Sequence, residues 1–287
     1  MANNDTGSTG GKELPPGAII TQEEFATQGL ALSQEAKVVD TLHSYFVVHC
    51  PRLYQACRWF HLLEGKLGDV LEIGPFFGYT PFVLRPRAAS YVVLEGDDPV
   101  VHALKPLYRD RKIEAQFVDL FDMFGPTDGA SHSLGFNDNS FDTVLCWETM
   151  EHFNFNPVKF VRELWRILKP GGRVCITVPN KASLQAIIAL IAGRQELKLI
   201  DAYYQYEDYV VHGKKAFYGF HWREYARPEL QHLFAKAGFK VRQCDTVTAF
   251  QANPNRSVLR QAVRGANRWV TGVLRRYGTH VCLSAEK

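Results

Sequence analysis

The stretch FDTVLCWETMEHF, residues 141–153, decides how this chain is read. Phe141 to Cys146 is a short apolar run of strand type, and it leads straight into Glu148, Glu151 and His152. Ionisable groups are costly to bury without partners, so three of them at the C-terminal end of a strand point to a site rather than to core. In open α/β sheets, ligands bind in the crevice outside the carboxyl ends of the strands. The segments on either side must then supply the sheet and show which ligand fills that crevice.

They do supply a sheet. DVLEIG (69–74), SYVVLEG (90–96), EAQFVDLF (114–121) and GRVCITVPN (172–180) are further apolar strand runs. Helical patterns separate them, one from about Pro99 to Tyr108 and an amphipathic one from Pro157 to Leu168. Near-uniform apolar strands alternating with helices imply a parallel sheet covered on both faces. PELQHLFAKAGF (228–239) reads as a helix, FKVRQCDTVTA as a strand and THVCLSAEK as a last strand. The expected fold is an α/β, Rossmann-like, doubly wound sheet of seven mostly parallel strands, with the last strand antiparallel.

Around this core the composition shifts. Residues 1–17, rich in Gly, Ser, Thr, Asn and Pro, read as disordered. Residues 18–67 read as a helical cap with an aromatic face, and 68–287 as the main domain. Residues 181–220 interrupt the rhythm after the fifth strand and read as a lid with Tyr203, Tyr204, Tyr206, Tyr209 and Tyr218. With Phe217 and Trp222 these could stack on a sugar or aromatic ring, or simply pack the lid onto the domain. Residues 254–277 carry Arg256, Arg260, Arg264, Arg268, Arg275 and Arg276 and no acid. Such a basic amphipathic helix suits peripheral contact with an anionic membrane, although arginines spaced by four also suit a solvated face.

The 287 residues fit one large α/β domain with insertions. Lys+Arg 33 against Asp+Glu 30 leaves +3, too little to imply nucleic-acid binding. Six scattered cysteines (50, 57, 146, 175, 244, 282) with no CxxC pair suggest a reduced, cytoplasmic protein. No signal-peptide core is seen, and no stretch approaches the roughly 18 apolar residues of a membrane span.

Three acids stand at the ends of successive strands. Glu72 precedes Gly74 and Gly78, glycines that let a backbone turn tightly toward a ligand. Phe76 occupies the middle glycine position of a dinucleotide fingerprint. Glu95 follows 17 residues after Gly78, where a carboxylate can accept both hydroxyls of a ribose. Asp119 can accept from an adenine amino group.

With VLEIGPFFGYT, the acid of VVLEGD, FVDLFD, FDTVLCWETMEHF and LKPGGRVCITVPN in this order, residues 65–250 and the last strand resemble the class I S-adenosylmethionine-dependent methyltransferases. HWREYARPELQHLFAKAGF matches the segment after the fifth strand in many small-molecule members. The resemblance implies S-adenosyl-L-methionine as cofactor. Glu72 and the Gly74–Gly78 loop would hold its methionine part, Glu95 its ribose, and Asp119 with the Leu120 backbone its adenine. Phe76 departs from the pattern, so Phe76 or Phe77 would pack on the cofactor or cover it.

Glu-x-x-Glu-His followed much later by a histidine is similar to the divalent-metal site of small-RNA 2′-O-methyltransferases, and also resembles ubiquinone-biosynthesis O-methyltransferases. By that resemblance Glu148, Glu151, His152 and His221 would ligate an ion, with magnesium the ion considered. Two carboxylates and two imidazoles form a mixed site with room for substrate oxygens. Without a metal, His152 or His221 is the natural general base, with Glu148 beside it; packing alone is the bland alternative. His43 and His49 of the cap could also reach the site. The expected activity is methyl transfer to a hydroxyl of a small molecule or sugar/glycan. N- or C-methylation on the same scaffold, and a non-catalytic S-adenosylmethionine-binding regulator, are the rivals. The acceptor and the oligomeric state are not legible.

Overall fold

The computed structural model describes residues 21–35, 39–76, 79–96, 99–126, 131–193, 210–211, 214–215, 221–248 and 275–287. The 1–17 segment, Phe77, Gly78, the five lid tyrosines, Phe217 and most of the 254–277 helix lie outside them, as does the side chain of His43.

Seven strands form one sheet: β1 (Gly68–Ile73), β2 (Ala88–Glu95), β3 (Glu114–Phe117), β4 (Phe141–Trp147), β5 (Leu168–Pro179), then β8 (Lys240–Val247) and β9 (His280–Glu286). Their order is β3-β2-β1-β4-β5-β9-β8. The first five run parallel, and β9 is antiparallel to both of its neighbours, as expected of the last strand. Two-residue strands β6 (Val210–Val211) and β7 (Lys214–Lys215) make a separate hairpin in the lid segment.

Helices cover both faces. On one side α1 (Gln22–Glu35), α2 (Val39–Trp59) with the turn that follows it, and α3 (Tyr79–Leu84) bury Phe25, Phe60 and Leu84 against Tyr91 of β2 and Trp147 of β4. On the other, α6 (Leu120–Phe124), α7 (Pro157–Ile167) and α9 (Arg227–Lys236) contribute Phe124, Phe160 and Phe234. Each fully buried aromatic or branched side chain contributes roughly 1.5–3 kcal/mol by leaving water. The sequence of α7 explains its ends. The Asn156 side chain accepts from the Val158 N–H at 3.0 Å, Pro157 occupies the first turn, and Phe160, Val161, Leu164 and Ile167 share the buried face.

Several boundaries moved. The helical pattern of residues 21–67 is two helices, ending at Trp59. The helix expected over 99–108 is α4 (Pro99–His102) and α5 (Lys105–Asp110), because Pro106 lacks an N–H and can only restart a helix. β3 stops at Phe117, since Asp119 turns to cap α6. β5 begins at Leu168, so the Lys-Pro-Gly-Gly run is part of the strand. Gly171 lies at φ +76, and a Cβ on Gly172 would come within 2.8 Å of the Lys169 carbonyl. Helix α8 (Leu184–Ile191), capped by Ser183, opens the lid segment.

Candidate active site

The order in which strands are laid down reverses between β1 and β4, because β2 and β3 continue on one side and β5 on the other. The carboxyl ends of β1, β2, β3 and β4 therefore share one crevice, and the expected site residues stand along it.

At β1 the backbone is bent for a close approach. Gly74 lies at φ +65 and donates its N–H to the Leu94 carbonyl at 2.8 Å. A Cβ there would sit 2.6 Å from Thr149 Oγ1, so no other residue fits without a shift. Thr149 Oγ1 in turn donates to the carbonyls of Ile73 (3.3 Å) and Trp147 (2.9 Å), stapling the β1 turn to the β4 turn. Phe76 keeps the left-handed conformation of the glycine it replaces, at φ +57, with its residue 43% exposed.

Glu72 does not reach into the crevice. Its residue has no exposure, and its carboxylate takes hydrogen bonds from the hydroxyls of Thr80 and Tyr91. Burial raises its pKa to about 7 against those bonds. Its carboxylate stands behind the turn at Gly74 that was expected, together with it, to hold the methionine part of the cofactor. Glu95, also buried, ends β2 and accepts from Tyr108 Oη at 3.3 Å. Asp119 stands two residues beyond the end of β3, where its Oδ1 accepts the Phe121 N–H at 2.8 Å. Leu120 opens α6 and is half-buried.

The four residues expected to act together at β4 divide into two groups. Glu148 turns away to a cationic cluster. Its Oε2 lies 3.4 Å from Arg52 Nη1 and 3.3 Å from His280 Nε2, and its side chain is 15% exposed. Burial would raise its pKa, yet His280 and Arg52 outweigh that and hold it down at about 2. Arg52 Nη2 also meets His49 Nδ1 at 3.3 Å, and burial followed by Arg52 lowers that imidazole to about 4. Glu148 adopts φ +45, which helps aim it at the cap helix. Glu148 thus stands outside the group of donors that converges, although its Oε1, like Glu151 Oε2, is buried with no hydrogen-bond partner.

Glu151, His152 and His221 do converge, with one donor atom from each within 4.8 Å of the others. The two imidazole rings meet edge to face at 5.0 Å. Glu151 is 1% exposed, and its Oε2 is buried with no hydrogen-bond partner. Burial, then the charge of Glu148, pushes its pKa well up. Its backbone carbonyl accepts from the N–H groups of Trp222 (2.8 Å) and Arg223 (3.3 Å), which brings His221 across from β4. His221 Nδ1 lies 3.3 Å from Glu224 Oε1. Sequence reasoning missed Arg52, His280, Thr149 and Glu224. His280 was within reach, because an antiparallel last strand must start at the site end of the sheet; Arg52 looked like any arginine on a helix.

Comparison with known proteins identifies the family. A family model described as a methyltransferase domain matches residues 49–244. A probable S-adenosylmethionine-dependent methyltransferase of Mycolicibacterium smegmatis is 26% identical over 193 residues, covering 67% of this chain and 58% of the relative. The mitochondrial ubiquinone biosynthesis O-methyltransferase of Rattus norvegicus is 27% identical over 195 residues, covering 64% of this chain and 47% of the relative. The chain thus spans under two thirds of the length of these curated relatives. Among solved structures, the fold is shared with a complex of the Haloferax volcanii Trm112 methyltransferase activator and a methyltransferase (TM-score 0.56, 16% identity, 89% of this chain and 96% of that one). With the family model covering more than half its length, this chain belongs to the methyltransferase-domain family, within the class I S-adenosylmethionine-dependent methyltransferases.

Proposed function

We propose that the protein transfers the methyl group of S-adenosylmethionine to a hydroxyl of a small molecule or sugar, at a site formed by Glu151, His152 and His221. The observation that carries this reading is the orphaned Glu151 Oε2, buried beside two imidazoles. A buried carboxylate oxygen without a donor costs roughly 1–3 kcal/mol, so the arrangement calls for a cation or a hydroxyl proton there. The O-methyltransferase named among the relatives supports oxygen as the acceptor atom.

S-adenosylmethionine supplies a methyl group already activated on a sulfonium, so the protein has chiefly to align the acceptor and remove its proton. Glu95 and Asp119 would take the ribose and adenine, and the Gly74 turn the methionine end. Glu151, His152 and His221 fit a divalent ion, whose Lewis acidity lowers the pKa of a hydroxyl. One carboxylate with two imidazoles suits iron or zinc better than magnesium, which favours oxygen ligands; manganese, a harder ion that still accepts imidazole, lies between them. Glu224 fixes the orientation of His221 in either case: a carboxylate on Nδ1–H leaves Nε2 with its lone pair for an ion or a proton. Without an ion, His152, with a 34% exposed side chain, accepts the hydroxyl proton directly.

The test is calorimetric titration of S-adenosylhomocysteine with and without manganese, followed by product analysis on pooled hydroxyl acceptors. Turnover that needs both manganese and Glu151 supports the metal version. Turnover independent of the ion but lost in His152→Ala leaves the base version. Methylation at nitrogen or carbon sinks the proposal, and tight cofactor binding without turnover on any acceptor favours the regulatory rival.

A further inference from the structure

Among the described residues β3 is the outer strand of the sheet and pairs with β2 alone. Val118 N–H donates to the Glu95 carbonyl at 2.8 Å. Backbone groups alternate in direction along a strand, so Glu114, Gln116 and Val118 face β2, and Ala115 and Phe117 turn their N–H and C=O outward. Beside that open edge runs a groove of about 600 Å³, walled by α5 and lined by Lys105, Tyr108, Arg109, Lys112, Glu114 and Phe117 among others.

Three cations, Lys105, Arg109 and Lys112, line the groove against one acid, Glu114, which accepts from the Gln116 amide. Arg109 has Asp110 at 3.5 Å. Lys105 rests its ammonium 4.2 Å over the Phe117 ring, and neither it nor Lys112 has a carboxylate partner among the described residues. The opposite edge, β8, differs. There Arg242 pairs with Glu286 at 2.6 Å and Asp245 meets Arg227 at 3.7 Å, so of the β8 charges Lys240 alone has no carboxylate partner among the described residues.

We propose that the β3 edge is a docking site for an extended, acidic peptide segment of a partner protein, which joins the sheet beside β3. The backbone of Ala115 and Phe117 would supply the ladder hydrogen bonds. Lys105 and Lys112 would select alternate acidic side chains, as expected where main-chain bonds give affinity and flanking side chains give specificity.

The test uses the full chain and three synthetic heptapeptides: alternating Glu and Val, alternating Lys and Val, and the acidic peptide N-methylated at every second residue, made in both registers. Amide chemical shifts of Ala115 and Phe117 and calorimetric affinity are the readouts. The acidic peptide is expected to shift both amides. Its affinity is expected to fall about tenfold, or roughly 1.4 kcal/mol, in a Lys105→Glu/Lys112→Glu variant that still binds S-adenosylhomocysteine like the parent. One N-methylated register is expected to lose binding. Equal binding of the lysine peptide or of both methylated registers overturns the proposal, and so does an acidic peptide that leaves the two amides unmoved. Concentration-dependent shifts of those amides without peptide would assign the edge to a second copy of the chain, and overturn it as well.

Discussion

Glu72 and Glu148 stand at the ends of adjacent central strands, both largely withdrawn from water, yet their pKa values are displaced in opposite directions. Glu72 meets two hydroxyls, and burial dominates, raising its pKa to about 7. Glu148 meets Arg52 and His280, and they outweigh burial, leaving it near 2. Neutral donors solvate a carboxylate but do not compensate its charge; cations do both. The difference assigns the two acids different work. Glu72 is part of the packing behind the cofactor loop, and Glu148 anchors the helical cap to the turn that presents Glu151 and His152.

The comparison breaks hardest at Arg52. Arg52→Leu leaves a buried carboxylate with His280 alone, and removing one partner of a buried pair costs about 3–5 kcal/mol. Denaturant unfolding should show this loss at neutral pH. The corresponding change on the other side, Thr80→Val, removes a neutral donor and should cost about 1–3 kcal/mol.

The pH dependence separates the two acids next. Glu148 is depressed from an ordinary 4.5, so its contribution is present above pH 4.5 and is lost as pH falls toward 2. Glu72 is raised from the same value, so its contribution is full below pH 4.5 and is lost as pH rises through 7. Each limb is worth about 3 kcal/mol at most. Glu148→Gln should flatten the acid limb of a stability–pH curve, and Glu72→Gln the limb between pH 4.5 and 7.5. If both variants leave the curve unchanged, the contrast between the two sites is wrong.

The smallest effect concerns the backbone. Phe76 and Glu148 both hold left-handed φ values, at a cost of roughly 1–2 kcal/mol for a residue with a Cβ. Phe76→Gly should relieve that strain, offset in part by the greater freedom of glycine in the unfolded chain, for a net gain of about 1 kcal/mol or less. Thermal unfolding measures it, and a loss of stability would mean that the ring contributes packing the exposed phenyl does not suggest.

Much of this was legible in the chain itself. Apolar runs broken by Gly and Pro marked the sheet, because a strand covered on both faces has to be apolar throughout. The positions of Glu95, Asp119, Glu151, His152 and His221 followed from strand ends and motif order. What stayed hidden was pairing at a distance. Nothing near Glu148 says that Arg52, 96 residues earlier, and His280, 132 residues later, will meet it. The resemblance therefore placed Glu148 with Glu151, whereas the fold gives the two carboxylates different neighbours.

Asp119 carries one more consequence. Its Oδ1 is committed to the first turn of α6 before any ligand arrives. The rotation of that side chain is thus frozen during folding, and binding has little of its rotamer entropy left to remove. An adenine meeting Oδ2 would find a stationary acceptor, and the conformational cost would appear in the stability of α6 rather than in the affinity for the nucleoside.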